Sequence, residues 1–188
     1  MLRFDEPLPR RPQRVVVAGV SGVGKTTFAQ RIASSAGVPH TEIDALYHGP
    51  EWTPRSEFLA DVYALTAQPE WVTEWQYRAA RPILAAHADL AVWLDFPFLT
   101  TTLPRVLRRT VRRRAGREVL WNGNVEPPLL TFFTSREHIV RWAWSTRNKY
   151  REQIPPLESH YPGLTVVRLR NQRQADAWLH GPLATSML

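Results

Sequence analysis

The chain has 188 residues, 44% of them hydrophobic and 22% charged, a balance that suits one α/β domain with a small insertion and excludes global disorder. It contains no cysteine, which excludes disulfides, iron–sulfur clusters, thiolate zinc sites and cysteine nucleophiles. The net charge of +7 is concentrated in one place: seven arginines (Arg105, Arg108, Arg109, Arg112, Arg113, Arg114 and Arg117) occupy a stretch without an acidic residue, and the remaining basic and acidic residues balance at 17 each. Such a patch suits phosphate groups, on a nucleotide or on a nucleic acid, against the alternative of a solvated helix face. No apolar run approaches the roughly 18 residues of a membrane span. The first residues lack the apolar stretch of a secretory leader, so a cytoplasmic location and no membrane partner are expected.

Residues 1–14 are rich in proline and arginine and read as a flexible N-terminal arm. Residues 15–184 read as a single domain. Val15-Val16-Val17-Ala18 is a β-branched run feeding Gly19, the pattern of a buried parallel strand before a glycine turn. A helix follows from Thr26 to Ala36, with Phe28, Ile32 and Ala36 on one face and Gly37 as its stop. His40 to Ile43 reads as a second strand ending at Asp44, Arg55 to Thr66 as a helix, Trp71 to Trp75 as a third strand and Ala79 to His87 as a helix. Leu90 to Leu94 is the most apolar strand and ends at Asp95. Leu99 to Arg114 reads as a helix carrying the arginines, and residues 115–135 as a loop-rich excursion, which gives a lid-like segment at about 112–136. Arg136 to Gln153 is a returning helix, Leu164 to Leu169 a fifth strand and Arg173 to His180 a final helix.

This alternation predicts an α/β fold with a five-stranded parallel sheet. Ligands in such folds sit beyond the carboxyl ends of the strands, where Gly19 to Thr26, Asp44, Glu74, Asp95 and Asn171 are expected to converge.

Gly19-Val20-Ser21-Gly22-Val23-Gly24-Lys25-Thr26 fits the G-x-x-x-x-G-K-[ST] pattern at every fixed position, between a strand and a helix. Glycines let the backbone turn tightly enough for successive N–H groups to face a phosphate, and the helix N-terminus adds partial positive charge. Gly19, Ser21, Gly22, Val23, Gly24, Lys25, Thr26 and Thr27 are therefore the expected nucleotide contacts, with Asn171 added from the last strand end. Lys25, one of only two lysines in the chain, is expected to bridge the β- and γ-phosphates of ATP, and Thr26 to ligate Mg²⁺.

Asp44 can face the γ-phosphate and orient an acceptor hydroxyl, against the alternative of a helix cap. Glu74 and Asp95 both end strands and compete as the acid that holds a metal-bound water. Arg78 and Arg81 are suited to an anionic group on the acceptor, and Arg105 and Arg109 lie four apart on the arginine helix, placed to cover transferred charge. Among eight tryptophans, Trp52, Trp75 and Trp121 fall at loops or strand ends where a ring could be stacked.

The chain resembles the small P-loop kinases of the adenylate, shikimate and gluconate kinase type. It is more closely similar to bacterial adenylate-kinase-related or DNA-topology-modulation proteins through Ile43-Asp44-Ala45-Leu46-Tyr47, Gly49-Pro50-Glu51-Trp52-Thr53-Pro54, Val92-Trp93-Leu94-Asp95 and Trp121-Asn122-Gly123-Asn124. The resemblance covers most of residues 15–180 and implies a three-layer P-loop fold with a helical lid-like insertion. Relatives usually carry Asp-Gly-Asn-Tyr where this chain has Glu74-Trp75-Gln76-Tyr77, which implies Glu74 as the metal acid and puts a large ring beside the acceptor site. His48 stands where relatives often have tryptophan. Arg81 matches an arginine common downstream of that motif, Arg78 sits at the spacing of an acceptor-phosphate ligand, and Arg105 and Arg109 match the lid pair.

The expectation is a Mg²⁺-dependent ATP phosphotransferase with a small anionic metabolite or nucleotide as acceptor. The alternative is a slow ATPase that binds nucleic acid through residues 105–117.

Overall fold

The computed structural model describes residues 1–105, 108 and 149–187. Four parallel strands, β1 (Arg14–Gly19), β2 (Trp71–Glu74), β3 (Leu90–Leu94) and β4 (Thr165–Leu169), form one sheet in the order β2-β1-β3-β4. Between β1 and β2 lie α1 (Lys25–Ala36), α2 (Ile43–Tyr47), a single 3₁₀ turn at Pro50–Trp52 and α3 (Phe58–Thr66). Helix α4 (Ala80–His87) leads to β3, α5 (Lys149–Gln153) and α6 (Leu157–His160) lead to β4, and α7 (Gln172–Trp178) follows it.

The strands read as continuous apolar runs because β2 and β3 are buried at every position and β1 at all but its first. Helix α1 packs on β1 and β2, α4 on β1, and α6 and α7 on β4. Its apolar side places Phe28 against the fully buried Trp178 at a ring distance of 6.0 Å, and Ile32 is also fully buried. The chain leaves β1 for β2 on one side and returns to β3 on the other. The strand order therefore reverses at β1, and a crevice opens at its carboxyl end.

The expected five strands are four. The segment His40 to Ile43 contributes one bridge, His40 with Val72, supported by Thr41 N–H donating to the Val72 carbonyl at 3.0 Å. Pro39 has no N–H to extend the ladder, and Ile43 already opens α2. Residues 1–14, read from sequence as a loose arm, make specific contacts. Leu2 bridges Val167 in parallel, its N–H donating to the Val166 carbonyl at 2.7 Å and its carbonyl accepting from Arg168 N–H at 3.1 Å. Leu2, Phe4 and Leu8 pack against the core. The expected lid-like segment at 112–136 lies outside the described residues.

Candidate active site

The loop that follows β1 turns through three glycines with positive φ, Gly19 at +154°, Gly22 at +79° and Gly24 at +104°. At Gly19 a side chain has no room: a Cβ there would stand 2.8 Å from Val23 Cγ1 and 3.0 Å from the Leu94 carbonyl oxygen. Gly24 is the N-cap of α1, so the first free amides of the helix open into the loop. Lys25 is buried and its Nζ donates to the Val20 carbonyl at 3.3 Å, which folds the ammonium back along the loop. Ser21 and Thr26 are half-buried and Thr27 is exposed. Arg105 braces the loop from outside: its guanidinium donates to the Val23 carbonyl at 3.1 Å and to Gln172 Oε1 at 3.1 Å, and lies 5.7 Å from the Phe96 ring centre. Asn171 caps α7, its side chain accepting from Gln174 N–H at 2.9 Å. It therefore reaches the loop through the neighbouring Gln172 and Arg105.

Glu74 closes β2 in register with Val17 of β1 and is almost fully buried. Its Oε1 meets His40 Nε2 at 3.2 Å and its Oε2 accepts from Ile43 N–H at 3.0 Å, so a carboxylate from another strand caps the start of α2. Burial, the largest influence, pushes its pKa up, but hydrogen bonds from His40, the Ile43 amide and the Thr26 hydroxyl, with the nearby His40, outweigh it and hold the group below its ordinary value. Thr26 thus lies near enough to Glu74 to help hold its charge. Among the described residues no group of three or more His, Asp or Glu forms a metal cluster.

Asp44, in the first turn of α2, is half-buried and clamped from the segment after β2. Gln76 Nε2 donates to its Oδ1 at 2.8 Å and the Tyr77 hydroxyl donates to the same oxygen at 2.6 Å. The Tyr77 oxygen also lies 3.1 Å from His48 Nε2. Burial first, and then the charge of Asp44, push the Tyr77 hydroxyl far above its ordinary pKa, so it stays a proton donor. The Tyr77 ring stacks on Tyr47 with centres 3.9 Å apart, and Phe58 packs edge-on to both. His48 stands edge-on to Trp52 at 5.0 Å.

Arg81 is pinned. Its terminal nitrogens donate to Gln153 Oε1 at 2.7 Å and to the Tyr150 hydroxyl at 2.8 Å, and the guanidinium lies against the adjoining rings of Trp75 and Tyr150, 4.8 and 5.0 Å from their centres. Arg78 is exposed. Lys149, at the start of α5, has its pKa lowered by partial burial and by the charges of Arg81 and Arg78. Asp95, the competing acid, is taken by arginines: Arg168 Nε donates to Oδ2 at 3.0 Å, and Arg151 Nε reaches Oδ1 at 3.4 Å. Beside the loop, Val20, Leu94, Asp95, Phe96, Tyr150 and Arg151 line a cavity of about 390 Å³.

The structure therefore gathers the loop, Thr26 with Glu74, and Arg105 at one end of the sheet. Asp44 adjoins them through Ile43, whose amide binds Glu74. Trp75, a candidate for ring stacking from sequence, is instead buried beneath Arg81 and Tyr150. Arg109, Trp121 and all of the arginine patch except Arg105 and Arg108 lie outside the described residues. Reading the sequence missed His40, His48, Gln172, Lys149 and the donor roles of Gln76 and Tyr77. Each acts through a partner more than 25 positions away.

No protein-family model matches the chain, and no curated protein matches its sequence. Solved structures do. A gluconokinase from Sinorhizobium meliloti 1021 superposes with a TM-score of 0.52 at 23% identity, over 91% of this chain and 93% of that one. A shikimate kinase from Acinetobacter baumannii in complex with shikimate superposes with a TM-score of 0.50 at 17% identity, over 94% of this chain and 91% of that one. Among the described residues no helix is long and apolar enough to cross a membrane. The chain shares the α/β fold of these two structures, with a parallel sheet of four described strands.

Proposed function

We propose that the chain transfers the γ-phosphoryl group of ATP to a small anionic metabolite or nucleotide. The observation that carries this reading is the glycine turn after β1, with positive φ at Gly19, Gly22 and Gly24, opening at the N-terminus of α1 beside β2, whose last residue is the buried Glu74. The loop amides and Lys25 grip the β- and γ-phosphates. Thr26 and Glu74 would hold Mg²⁺, which would neutralise phosphate charge when bound. Asp44 receives or orients the acceptor hydroxyl. Arg78, Arg81 and Lys149 offer positive charge for an anionic group on that acceptor, and Arg105 braces the loop. The pinned Arg81 keeps its guanidinium preorganised, which spares the ordering cost of binding.

The experiment is ADP release from Mg²⁺-ATP with nucleoside monophosphates, sugar acids such as gluconate, and cyclic acids such as shikimate. Acceleration by one compound is the expected result. Uniform background hydrolysis, with salt-sensitive binding of nucleic acid, would replace the kinase with the ATPase reading. Lys25→Ala is expected to abolish calorimetric binding of Mg²⁺-ATP. Asp44→Asn is expected to leave that binding intact and slow transfer about 100-fold.

A further inference from the structure

Gln76 and Tyr77 are neighbours in sequence, and neighbours in an extended chain point to opposite sides. Here both reach one atom, Oδ1 of Asp44, at 2.8 and 2.6 Å. The convergence is made by the backbone of Tyr77, whose φ of +55° is a left-handed conformation that a tyrosine adopts only at a cost. Ring packing alone does not account for it. The stack on Tyr47 and the edge contact with Phe58 would serve a phenylalanine as well, whereas the hydroxyl makes the shorter of the two bonds to Asp44.

The other carboxylate oxygen, Oδ2, makes no hydrogen bond among the described residues. The Tyr77 hydroxyl has one proton and gives it to Asp44. Its contact with His48 is then made with the phenolic oxygen as acceptor, so His48 carries its proton on Nε2. The order of donation runs from His48 to Tyr77 to Asp44.

We propose that Tyr77, assisted by Gln76, is a positioning residue that commits Asp44 Oδ1 to the protein and aims Oδ2 at the acceptor hydroxyl. This rests on the reading of Asp44 given above. It adds that the carboxylate is held by the strand β2 side of the site and that His48 orders the tyrosine.

The test is ADP release from Mg²⁺-ATP by the full chain, with water as acceptor and in parallel with any compound that accelerates the reaction. The variants are Tyr77→Phe, Gln76→Met, Asp44→Asn and the double variant Tyr77→Phe/Asp44→Asn, with Tyr63→Phe on the exposed face of α3 as a control expected to change nothing. Tyr77→Phe is expected to lower turnover about tenfold with the KM for ATP unchanged, and the double variant to be no slower than Asp44→Asn alone. Full turnover in Tyr77→Phe overturns the inference. So does an equal loss with and without the Asp44 carboxylate, because a merely structural tyrosine would act in both backgrounds. Normal turnover in Asp44→Asn instead removes Asp44 from the mechanism, and this inference falls with it. Should Tyr77→Phe fail to fold, Gln76→Met poses the same question without disturbing the aromatic stack.

Discussion

Trp75 and Arg81 hold each other twice: the indole N–H donates to the Arg81 carbonyl at 3.0 Å, and the Arg81 guanidinium covers the same indole at 4.8 Å. The large ring is therefore a platform under the cation. Trp75→Gly is expected to destabilise the fold by about 3–5 kcal/mol, the scale of deleting a buried aromatic. Urea unfolding measures it. Arg81→Lys keeps the charge but loses the fork that engages Gln153 and Tyr150, and is expected to cost about 1–3 kcal/mol in the same measurement.

Gly19 sets the geometry of the loop. Gly19→Ala would press a methyl into Val23 and the Leu94 carbonyl at a φ of +154°. The expected cost is about 1–3 kcal/mol of stability together with loss of Mg²⁺-ATP binding, read by thermal unfolding and calorimetry. Binding that survives with unchanged affinity would show that the loop need not keep this shape.

Glu74 ties stability to pH. Its folded-state pKa lies below the ordinary value of 4.5, so the unfolded chain binds this proton more readily. The stabilisation is fully present above pH 4.5 and is lost as pH falls through the lower folded value. Glu74→Gln replaces one carboxylate oxygen by an amide NH2, which turns a donor toward the donors at Ile43 or His40, and is expected to cost about 1–3 kcal/mol at pH 7. The gap between the melting curves of the two proteins should stay constant from pH 7 down to about 5 and close below it. A gap that does not narrow as the pH falls below 4.5 would contradict the assignment.

Asp95 and Glu74 separate experimentally. Asp95 is engaged by Arg168, which also lies 4.5 Å from the Trp93 ring centre, and by Arg151, so its role is to join β3, β4 and α5. Asp95→Asn is expected to lower the melting temperature while leaving Mg²⁺-ATP affinity within about twofold. Loss of the magnesium dependence of binding in Asp95→Asn, and not in Glu74→Gln, would reverse the two roles.

The strands were legible where several apolar residues run together, as in Val15–Ala18 and Leu90–Leu94, and the phosphate loop was legible because its spacing is a local chemical requirement. His40–Ile43 misled because its single bridge depends on Val72 across the sheet, and because a carboxylate from β2 starts the next helix at Ile43. The partners of Asp44 were hidden for the same reason: Gln76 and Tyr77 lie more than 30 residues away, and only a turn with positive φ brings both to one oxygen. At the N-terminus, Leu2 and Phe4 alternate with charged residues as a strand would, but the prolines and arginines around them masked a pairing made with the far end of the chain.

That pairing has a cost if it is broken. Leu2 occupies the outer flank of β4, where a bare row of amides and carbonyls would otherwise be a template for a second molecule. Trimming the first few residues should accordingly make preparations stickier on storage well before it touches turnover.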